Sequence, residues 1–411
     1  MTDDAALARA LLSPRAVRNR AHRLLDIGLD GGLPHFTVDS GKLTRCADVV
    51  LDTIRTNYPM LDVPFHARWR HFAAGGFDRW GTLDQADRWP NPAARARAAF
   101  DLAITSVLLD AGSGPGWRYV EAASGETFAR SEGLAVASFD LFCAGAFSTS
   151  ATDRLRADAN GLAAFSADAL AVGFQVSDTN PLVGLEGRAA LMRRLGTTVA
   201  ANPAVFGRAD DPRPGGLFDH LAAQAEHGVL PAEAILTALL THLGPIWPGR
   251  ISLGGIDLGD TWRHPALVTD DATTGLVPFH KLSQWLAYSL IEPLQWAGIG
   301  VAGIDGLTGL AEYRNGGLFV DTGVIALRDA EEAARPQAVD SALVVEWRAL
   351  TVALLDDVAA LVRHSLGRPP EQFPLAKVLE GGTWAAGRRV ARQRRADGGP
   401  PLTVISDGTV F

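Results

Sequence analysis

Apolar residues recur at helical spacing over long stretches of the chain, and this periodicity limits the possible folds more than any other feature of the sequence. Within residues 47–58, apolar side chains stand at offsets of three, four, seven and eleven, which places them on one helical face. The same spacing predicts a helix through residues 100–108 that ends near Gly112, and a long helix through residues 343–358. The sequence therefore predicts a mainly α fold built on core helices.

Residues with capping chemistry predict two helix starts. Ser13 precedes Pro14, and Ser131 precedes Glu132. A serine at such a position accepts a hydrogen bond from a free backbone N–H of the first helical turn, and proline is well tolerated just inside that turn. We therefore expect helices to begin at both places.

Few segments have the composition of strands. The clearest are residues 403–405 and 409–411, which flank the turn sequence Ser406-Asp407-Gly408 and predict a hairpin at the C-terminus. The Pro- and Gly-rich stretches 212–215 and 398–401 are typical of surface loops. We expect a few short strands beside the helices.

Composition narrows the class of protein. Hydrophobic residues make up 47% of the chain and no linker or repeat divides it, so we expect one integrated domain over residues 1–411, with a split near residues 201–217 as the alternative. The net charge of −8 argues against broad nucleic-acid binding, because phosphate backbones are held by clustered Lys and Arg. Cys46 and Cys143 stand far apart without metal-binding spacing, and we expect neither a metal nor a cofactor.

The location of the protein is predicted from two apolar segments. Residues 1–15 begin acidic and are interrupted by Arg9 and Pro14, unlike a secretory signal. The most apolar window, residues 133–147, contains Asp140 and is shorter than the roughly 20 residues that span a bilayer. We therefore expect a cytoplasmic protein that does not interact with a membrane.

The segment that follows Pro278 is a candidate binding site. A helix that begins after this proline would carry four polar or aromatic residues on one face, namely Lys281, Gln284, Trp285 and Tyr288. A cation, an amide and two rings suit a sugar or base pocket, because rings stack on flat faces and polar groups fix orientation. The alternative is an ordinary amphipathic helix with Lys281 in solvent.

Two carboxylates are candidates for chemistry. Glu312 follows an apolar start and precedes two glycines, so it lies where a side chain is easily directed into a cleft. Taken by itself, a glutamate so close to Arg314 more often forms a surface pair, which is the alternative. Asp140 stands in the segment 134–142, which would be apolar nearly all round as a helix, and a buried carboxylate is costly unless it is paired, protonated or used. Pairing with a buried arginine is the alternative to a catalytic or binding role for Asp140.

Two further motifs have structural or binding interpretations. Residues 66–71, His-Ala-Arg-Trp-Arg-His, place two arginines between two histidines, which opposes a divalent cation and favours an anion such as phosphate or carboxylate. The glycine-rich residues 112–116 lack the spacing and the lysine of a P-loop, so we interpret them as a turn. Neither a Gly-x-Ser-x-Gly nor a His-Glu-x-x-His motif occurs, so the motifs of serine hydrolases and zinc proteases are missing.

Several short runs are distinctive in combination. They are Asn57-Tyr58-Pro59, Val63-Pro64-Phe65-His66, Ser131-Glu132-Gly133, Val277-Pro278-Phe279-His280-Lys281, Glu312-Tyr313-Arg314-Asn315-Gly316-Gly317, Glu380-Gly381-Gly382-Thr383-Trp384 and Ser406-Asp407-Gly408. Over almost its whole length the chain thereby resembles the uracil-catabolism protein four family. That family belongs to a pathway that degrades uracil through a ribosylurea intermediate.

Residues 281–348 are also distantly similar to the queuosine-nucleotide N-glycosylase family, which has a helical fold related to DNA glycosylases. The similar runs are Lys-x-x-Gln at 281–284, Ala-Glu-Tyr-Arg at 311–314 and Glu-x-Arg at 346–348. Here Glu312 stands where that family has aspartate, so the carboxylate reaches about one methylene further. This resemblance implies an all-α, DNA-glycosylase-like fold and the hydrolysis of an N-glycosidic bond.

Together the resemblances imply a small nucleoside- or nucleotide-derived substrate, a ribosylurea with or without a 5′-phosphate, which releases urea and a ribose species. Glu312 is the candidate carboxylate for an oxocarbenium-like transition state. Lys281 is a candidate nucleophile, acid or ion-pair partner, and Asp140, if protonated, is a second candidate proton donor. The candidate substrate-binding residues are His66, Arg68, His280, Gln284, Trp285, Tyr313, Arg314, Arg348 and Trp384.

Two other functions compete with this hypothesis. A lyase or amidohydrolase acting on an opened pyrimidine ring would yield ammonia or a three-carbon product. A non-catalytic partner protein of the same pathway would use the polar face of the Lys281 helix as an interface. The sequence does not determine the oligomeric state.

Overall fold

Helices predominate in the computed structural model, which describes residues 3–85, 88–207, 212–247 and 250–405. The predicted mainly α fold is confirmed. In the first part of the chain the helices are α1 (Asp4–Leu11), α2 (Pro14–Leu29), α3 (Leu43–Asn57), α4 (Arg68–Phe72), α5 (Arg79–Leu83), α6 (Pro92–Leu108), α7 (Arg130–Cys143), α8 (Ala159–Ala163), α9 (Ala167–Gly173) and α10 (Leu185–Ala201). The later helices are α11 (Pro203–Phe206), α12 (Gly216–Ala222), α13 (Ala232–His242), α14 (Lys281–Trp296), α15 (Tyr313–Thr322), α16 (Ala342–Leu366), α17 (Leu375–Val378) and α18 (Trp384–Arg394).

The strands are two or three residues long and form separate pairs. The antiparallel pairs are β1 (Phe36–Val38) with β10 (Ile325–Leu327), β2 (Tyr119–Val120) with β3 (Thr127–Phe128), β5 (Ser252–Leu253) with β6 (Ile256–Asp257), and β7 (Thr261–Arg263) with β8 (Leu276–Pro278). The parallel pairs are β4 (Val229–Pro231) with β9 (Gly300–Ala302), and β11 (Gln337–Ala338) with β12 (Val404–Ile405). Because β12 pairs with β11, its described partner is not the predicted hairpin strand. Residues 406–411, which carry the turn and second strand of that hairpin, lie outside the described residues.

The long helix α16 illustrates how the sequence specifies these elements. The apolar residues predicted to share its inner face, from Leu343 to Val358, are buried. Ser341 caps the first turn by accepting a hydrogen bond from the N–H of Val344, and Gly367 ends the helix with φ 62°. None of the helices in the described ranges combines the length and the apolar character that crossing a lipid bilayer requires.

The two predicted helix starts have different outcomes. Ser13 caps α2 with Pro14 in the first turn, as predicted. The prediction of a cap at Ser131 is wrong, because α7 begins at Arg130, two residues before the predicted start. Ala129 occupies its N-cap position, and no side chain at that position accepts a hydrogen bond from the first turn.

The start of α14 is anchored by a buried ion pair. Asp260 accepts hydrogen bonds of 2.8 Å from both terminal nitrogens of Arg348, and its Oδ2 accepts the backbone N–H of Lys281 at 2.9 Å. Between β8 and α14, His280 adopts the left-handed conformation with φ 49°, which is uncommon for a residue other than glycine. The helix therefore starts in a fixed position after Pro278, where the sequence predicts it.

The main hydrophobic core draws on nearly the whole described chain. One cluster of buried apolar side chains extends from Val17 to Leu402 and includes Phe206 and Leu217, which flank the gap in the predicted split region. The backbone N–H of Gly215 also donates to Asp101 in α6 at 2.5 Å. The division of the chain into domains stays a prediction.

Candidate functional site

A cavity of about 270 Å³ lies where three helices begin. Arg130 and Ser131 begin α7, Lys281 begins α14, and Glu312 and Tyr313 stand at the start of α15. The shortest of these helices, α15, has 10 residues. Because the N-terminal end of a helix carries partial positive charge, three such ends make the cavity favourable for a negatively charged group.

The structure brings most of the predicted site residues together in this cavity. Those that line it are His66, Lys281, Trp285, Glu312, Tyr313, Arg314 and Trp384. The sequence analysis did not select the other polar residues of the wall, which are His71, Asp110, Ser113, Arg130 and Ser131. The two carboxylates and the cations give the wall both signs of charge.

Glu312 is the N-cap residue of α15 as well as part of the cavity wall. Its Oε2 accepts the backbone N–H of Arg314 at 2.9 Å, and its Oε1 accepts that of Asn315 at 2.6 Å. These two bonds fix the carboxylate at the helix start. Each oxygen retains a further lone pair that can face a ligand.

Lys281 lies in the same cavity and is half-buried. Removal from water lowers the pKa of its amine, and the nearby Arg348 lowers it further, whereas Glu312, Asp110 and Asp260 raise it. The net direction is downward. The amine is therefore a stronger acid than a lysine in solvent, and it is electrostatically coupled to Glu312.

Aromatic rings form one side of the cavity. His66 stacks on Trp285 with ring centroids 6.3 Å apart, and His71 meets the same indole edge-on at 5.4 Å. Trp384 lies 6.2 Å from His66 and 6.0 Å from His71. Such a surface suits a flat or sugar-like ligand.

The two histidines of this wall have different partners. Nδ1 of His66 lies 2.7 Å from Oε2 of Glu380, which belongs to the π-helical turn Leu379–Thr383. Burial and the nearby Arg68 lower the pKa of His71 to about 4, so its imidazole is neutral at neutral pH. The π-helical turn that carries Glu380 is of a type that occurs often at functional sites.

Arg68 lies behind the cavity wall and does not line it. Its guanidinium is fully buried, forms an ion pair with Asp110, and donates through Nε to Ser106 Oγ at 2.7 Å. Asp110 does line the cavity. Arg68, predicted to grip an anion of the substrate, is thus paired with a carboxylate of the protein itself.

Arg314 has a different environment. Its side chain is buried, with 7% of the residue exposed, and its guanidinium carbon lies 4.4 Å from the ring centre of Trp384 and 5.3 Å from that of Tyr313. Arg388 lies over the same indole at 4.8 Å and pairs with Glu132 at 2.8 Å. Two cations therefore share one ring beside the cavity.

Asp140, the predicted third catalytic residue, does not line the cavity. It is half-buried near the C-terminal end of α7, and its Oδ2 accepts the hydroxyl of Tyr119 at 2.6 Å. Desolvation raises the pKa of this carboxyl, although the tyrosine hydrogen bond opposes the shift. Its described hydrogen-bond partner is a phenol, not the arginine considered as the structural alternative.

Three predicted binding residues support the cavity from outside. His280 points its Nε2 towards the carbonyl oxygen of Leu11 at 3.1 Å. Gln284 is fully buried and accepts the N–H of Thr308 at 3.3 Å, and Arg348 is held by Asp260. None of the three lines the cavity.

Two glycine-containing loops contribute to the wall although their sequences suggested only turns or surface. Residues 112–115 and residues 398–400 both line the cavity. Nearly three hundred positions separate them, so no local pattern could have predicted that they meet. His71, by contrast, could have been predicted as a site residue, since the His-Ala-Arg-Trp-Arg-His run contains it.

Among the described residues, no group of three or more His, Cys, Asp or Glu side chains is arranged to hold a metal ion.

The sequence was compared with known proteins. Residues 10–411 match the family described as "Protein of unknown function (DUF1688)". The chain is 39% identical over 412 residues to "Protein urg3" of Schizosaccharomyces pombe, a match that covers 98% of each chain. It is 38% identical over 416 residues to "Uracil catabolism protein 4" of Lachancea kluyveri, with 93% of each chain covered.

Proposed function

This chain belongs to the DUF1688 family, and from that premise we propose that it is an enzyme of uracil catabolism that hydrolyses the N-glycosidic bond of a ribosylurea-type compound. The products are urea and a ribose species. The observation that supports the proposal most is that Glu312 and Lys281 line one cavity together with stacked rings.

Cleavage of a ribosyl C–N bond passes through a transition state with positive charge on the sugar. Glu312 stabilises that charge, because its carboxylate is held rigidly by the two backbone amides of α15. The same carboxylate takes a proton from the water that attacks the sugar carbon. One C–O bond forms as the C–N bond breaks.

The leaving nitrogen of urea needs a proton, because urea is a poor leaving group as an anion. Lys281 donates it, and its lowered pKa makes the ammonium a better donor than an ordinary lysine. General acid assistance of this kind contributes about 10²- to 10⁴-fold. The proton gained by Glu312 then returns to Lys281, so both groups are restored. Asp140 has no role in this mechanism.

The reaction is tested with purified full-length protein and four compounds: uridine, uridine monophosphate, ribosylurea and its 5′-phosphate. We expect urea and a ribose species from a ribosylurea, and no uracil from the two intact pyrimidines. Enzyme with Lys281→Met serves as the variant control, since it removes the proton donor and keeps an unbranched apolar side chain of similar length.

Other products would point to other functions. Ammonia or a three-carbon product from an opened pyrimidine would replace the hydrolase with a lyase or amidohydrolase. No turnover of any of these compounds by folded, pure protein would favour a non-catalytic partner protein.

A further inference from the structure

The three helix ends at the cavity differ in how their backbone amides are satisfied. At α14, Asp260 accepts the N–H of Lys281, and at α15, Glu312 accepts two amides. At α7, the N-cap residue Ala129 offers no acceptor. We propose that this open N-terminus, together with Arg314 and Arg130, binds the phosphate monoester of a pentose 5-phosphate.

The amides of the first turn of α7 are available to such a ligand. Among the described residues, the N–H groups of Arg130 and Ser131 have no hydrogen-bond partner, whereas the carboxylate of Glu132 contacts its own N–H. Both Arg130 and Ser131 line the cavity. Free first-turn amides and the positive end of a 14-residue helix are the ordinary requirements of a phosphate site.

Arg314 is a second, independent indication of an anionic ligand. In the part of the chain that the structure describes, its buried guanidinium has no hydrogen-bond acceptor and no ion-pair partner, although it lines the cavity. A buried arginine is normally paired, as Arg68 is with Asp110 and Arg348 is with Asp260. Contact with Trp384 and Tyr313 holds its planar group in place and leaves its N–H edges available.

Arg130 is held at the cavity by a strained backbone. Its φ is 54°, in the left-handed region that a residue with a Cβ rarely adopts. Strain of this kind concentrates where a ligand is gripped. Arg130 is exposed and lines the cavity, so its guanidinium is accessible to a ligand.

The nearby acidic groups have other partners. Glu132 pairs with Arg388, Asp110 pairs with Arg68, and Glu312 accepts two backbone amides of α15. Two amides and two guanidinium groups match a tetrahedral dianion, which accepts hydrogen bonds in several directions, better than a planar carboxylate. This phosphate subsite lies in the same cavity as the residues of the proposed hydrolysis. It rests on the proposed function only for the identity of the sugar.

Isothermal titration calorimetry on the full chain tests the subsite with ribose 5-phosphate, ribose and inorganic phosphate. We expect ribose 5-phosphate to bind at least about tenfold more tightly than ribose, and inorganic phosphate to compete with it. Arg314→Gln should weaken the affinity for ribose 5-phosphate by about tenfold or more and leave that for ribose unchanged. Arg335→Gln, which alters an exposed arginine paired with Glu331, should change neither.

A second variant guards against loss of the fold. Arg130→Gly removes the backbone strain at the positive φ, because glycine adopts this conformation readily, so the variant should be more stable. The change also removes the guanidinium, so binding of ribose 5-phosphate should still weaken. Equal affinities for ribose and ribose 5-phosphate, or full affinity in both variants, would overturn the subsite. Tight binding of ribose 5-phosphate without urea release from any ribosylurea would retain the subsite and refute the proposed hydrolysis, and the opposite pattern would do the reverse.

Discussion

At the scale of single residues, Glu312 combines a structural role with the proposed chemical one. Its two oxygens accept the amides of Arg314 and Asn315, and the residue also lines the cavity that Lys281 lines. A group held in this way needs little reorganisation when charge develops beside it. The side chain is therefore both a helix cap and a preorganised anion.

We expect Glu312→Gln to abolish most turnover at a modest cost in stability. The amide oxygen of glutamine can still accept one of the two backbone N–H groups, so the free energy of unfolding should fall by only about 1 kcal/mol. The loss of negative charge should lower the rate of urea release by roughly 10² to 10³. Denaturant unfolding and a urea assay measure the two effects separately.

The exposed Glu331 provides the matched control for this change. Glu331→Gln alters the same chemical group at a residue that does not line the cavity, and it should leave both quantities unchanged. Wild-type rates of urea release by the Glu312→Gln protein would rule out the assigned role.

At the scale of elements, the cavity depends on where helices begin. The first residues of α7, α14 and α15 line it, and two of the three starts are capped by carboxylates of the protein itself. The open start of α7 has the extended backbone of an N-cap residue, with φ −140° and ψ 169° at Ala129. A capping side chain could therefore be introduced there without changing the backbone.

Ala129→Asp should stabilise the protein and weaken phosphate binding at once. The new carboxylate would accept the free amides of α7, which stabilises a helix by about 1 kcal/mol. It would also occupy the proposed phosphate position and repel the anion. Thermal unfolding and calorimetry with ribose 5-phosphate measure the two effects.

Ala129→Asn separates capping from charge, because asparagine caps a helix about as well without the negative charge. It should weaken binding less than the aspartate does. A stabilised Ala129→Asp protein that binds ribose 5-phosphate as tightly as the wild type would contradict the proposal.

At the scale of the whole molecule, stability should depend on the protonation of His71. Its pKa is about 4 in the folded protein, against 6.5 for an unperturbed histidine. Between these values the unfolded chain binds a proton that the folded chain does not, so stability falls as the pH drops from about 6.5 to about 4. The contribution lost over this window is about 3 kcal/mol.

Denaturant unfolding at several pH values measures this dependence. His71→Asn keeps a hydrogen-bond acceptor near Arg68 and cannot titrate, so it should remove that part of the pH dependence. The same substitution at His364, which is exposed near the end of α16, should preserve it. An identical pH profile in wild type and His71→Asn would exclude His71 as the source.

The sequence predicted those features that depend on local pattern. The mainly α fold, the helix after Pro278 and the periodic core helices follow from spacing that is visible in the chain, and the predicted family resemblance is confirmed by the matches to its relatives. Gathering Lys281, Glu312 and Trp384 in one cavity agrees with the residues that carried that resemblance.

Most of what the sequence did not reveal concerns contacts between distant positions. Arg68, Arg314 and Arg348 look alike in a sequence, but Asp110 and Asp260 neutralise the first and the last of them across 42 and 88 residues. The glycine loops at residues 112–115 and 398–400 are likewise far apart in the sequence and meet only in the folded chain. The missing cap of α7 follows from a shift of one or two residues at the helix start, which is the least reliable part of a local prediction.

The start of α15 carries both the carboxylate that we propose acts at the sugar and the guanidinium that we propose binds the phosphate. Glu312 and Arg314 are two positions apart, and Glu312 holds the backbone of Arg314 directly. Because Glu312 and Arg314 are both fixed in the cavity wall, a substrate whose phosphate binds Arg314 is held with its reacting carbon at a set distance from Glu312. Binding energy from the phosphate end of the substrate then contributes to transition-state stabilisation. Removing the phosphate should therefore lower kcat as well as raise KM.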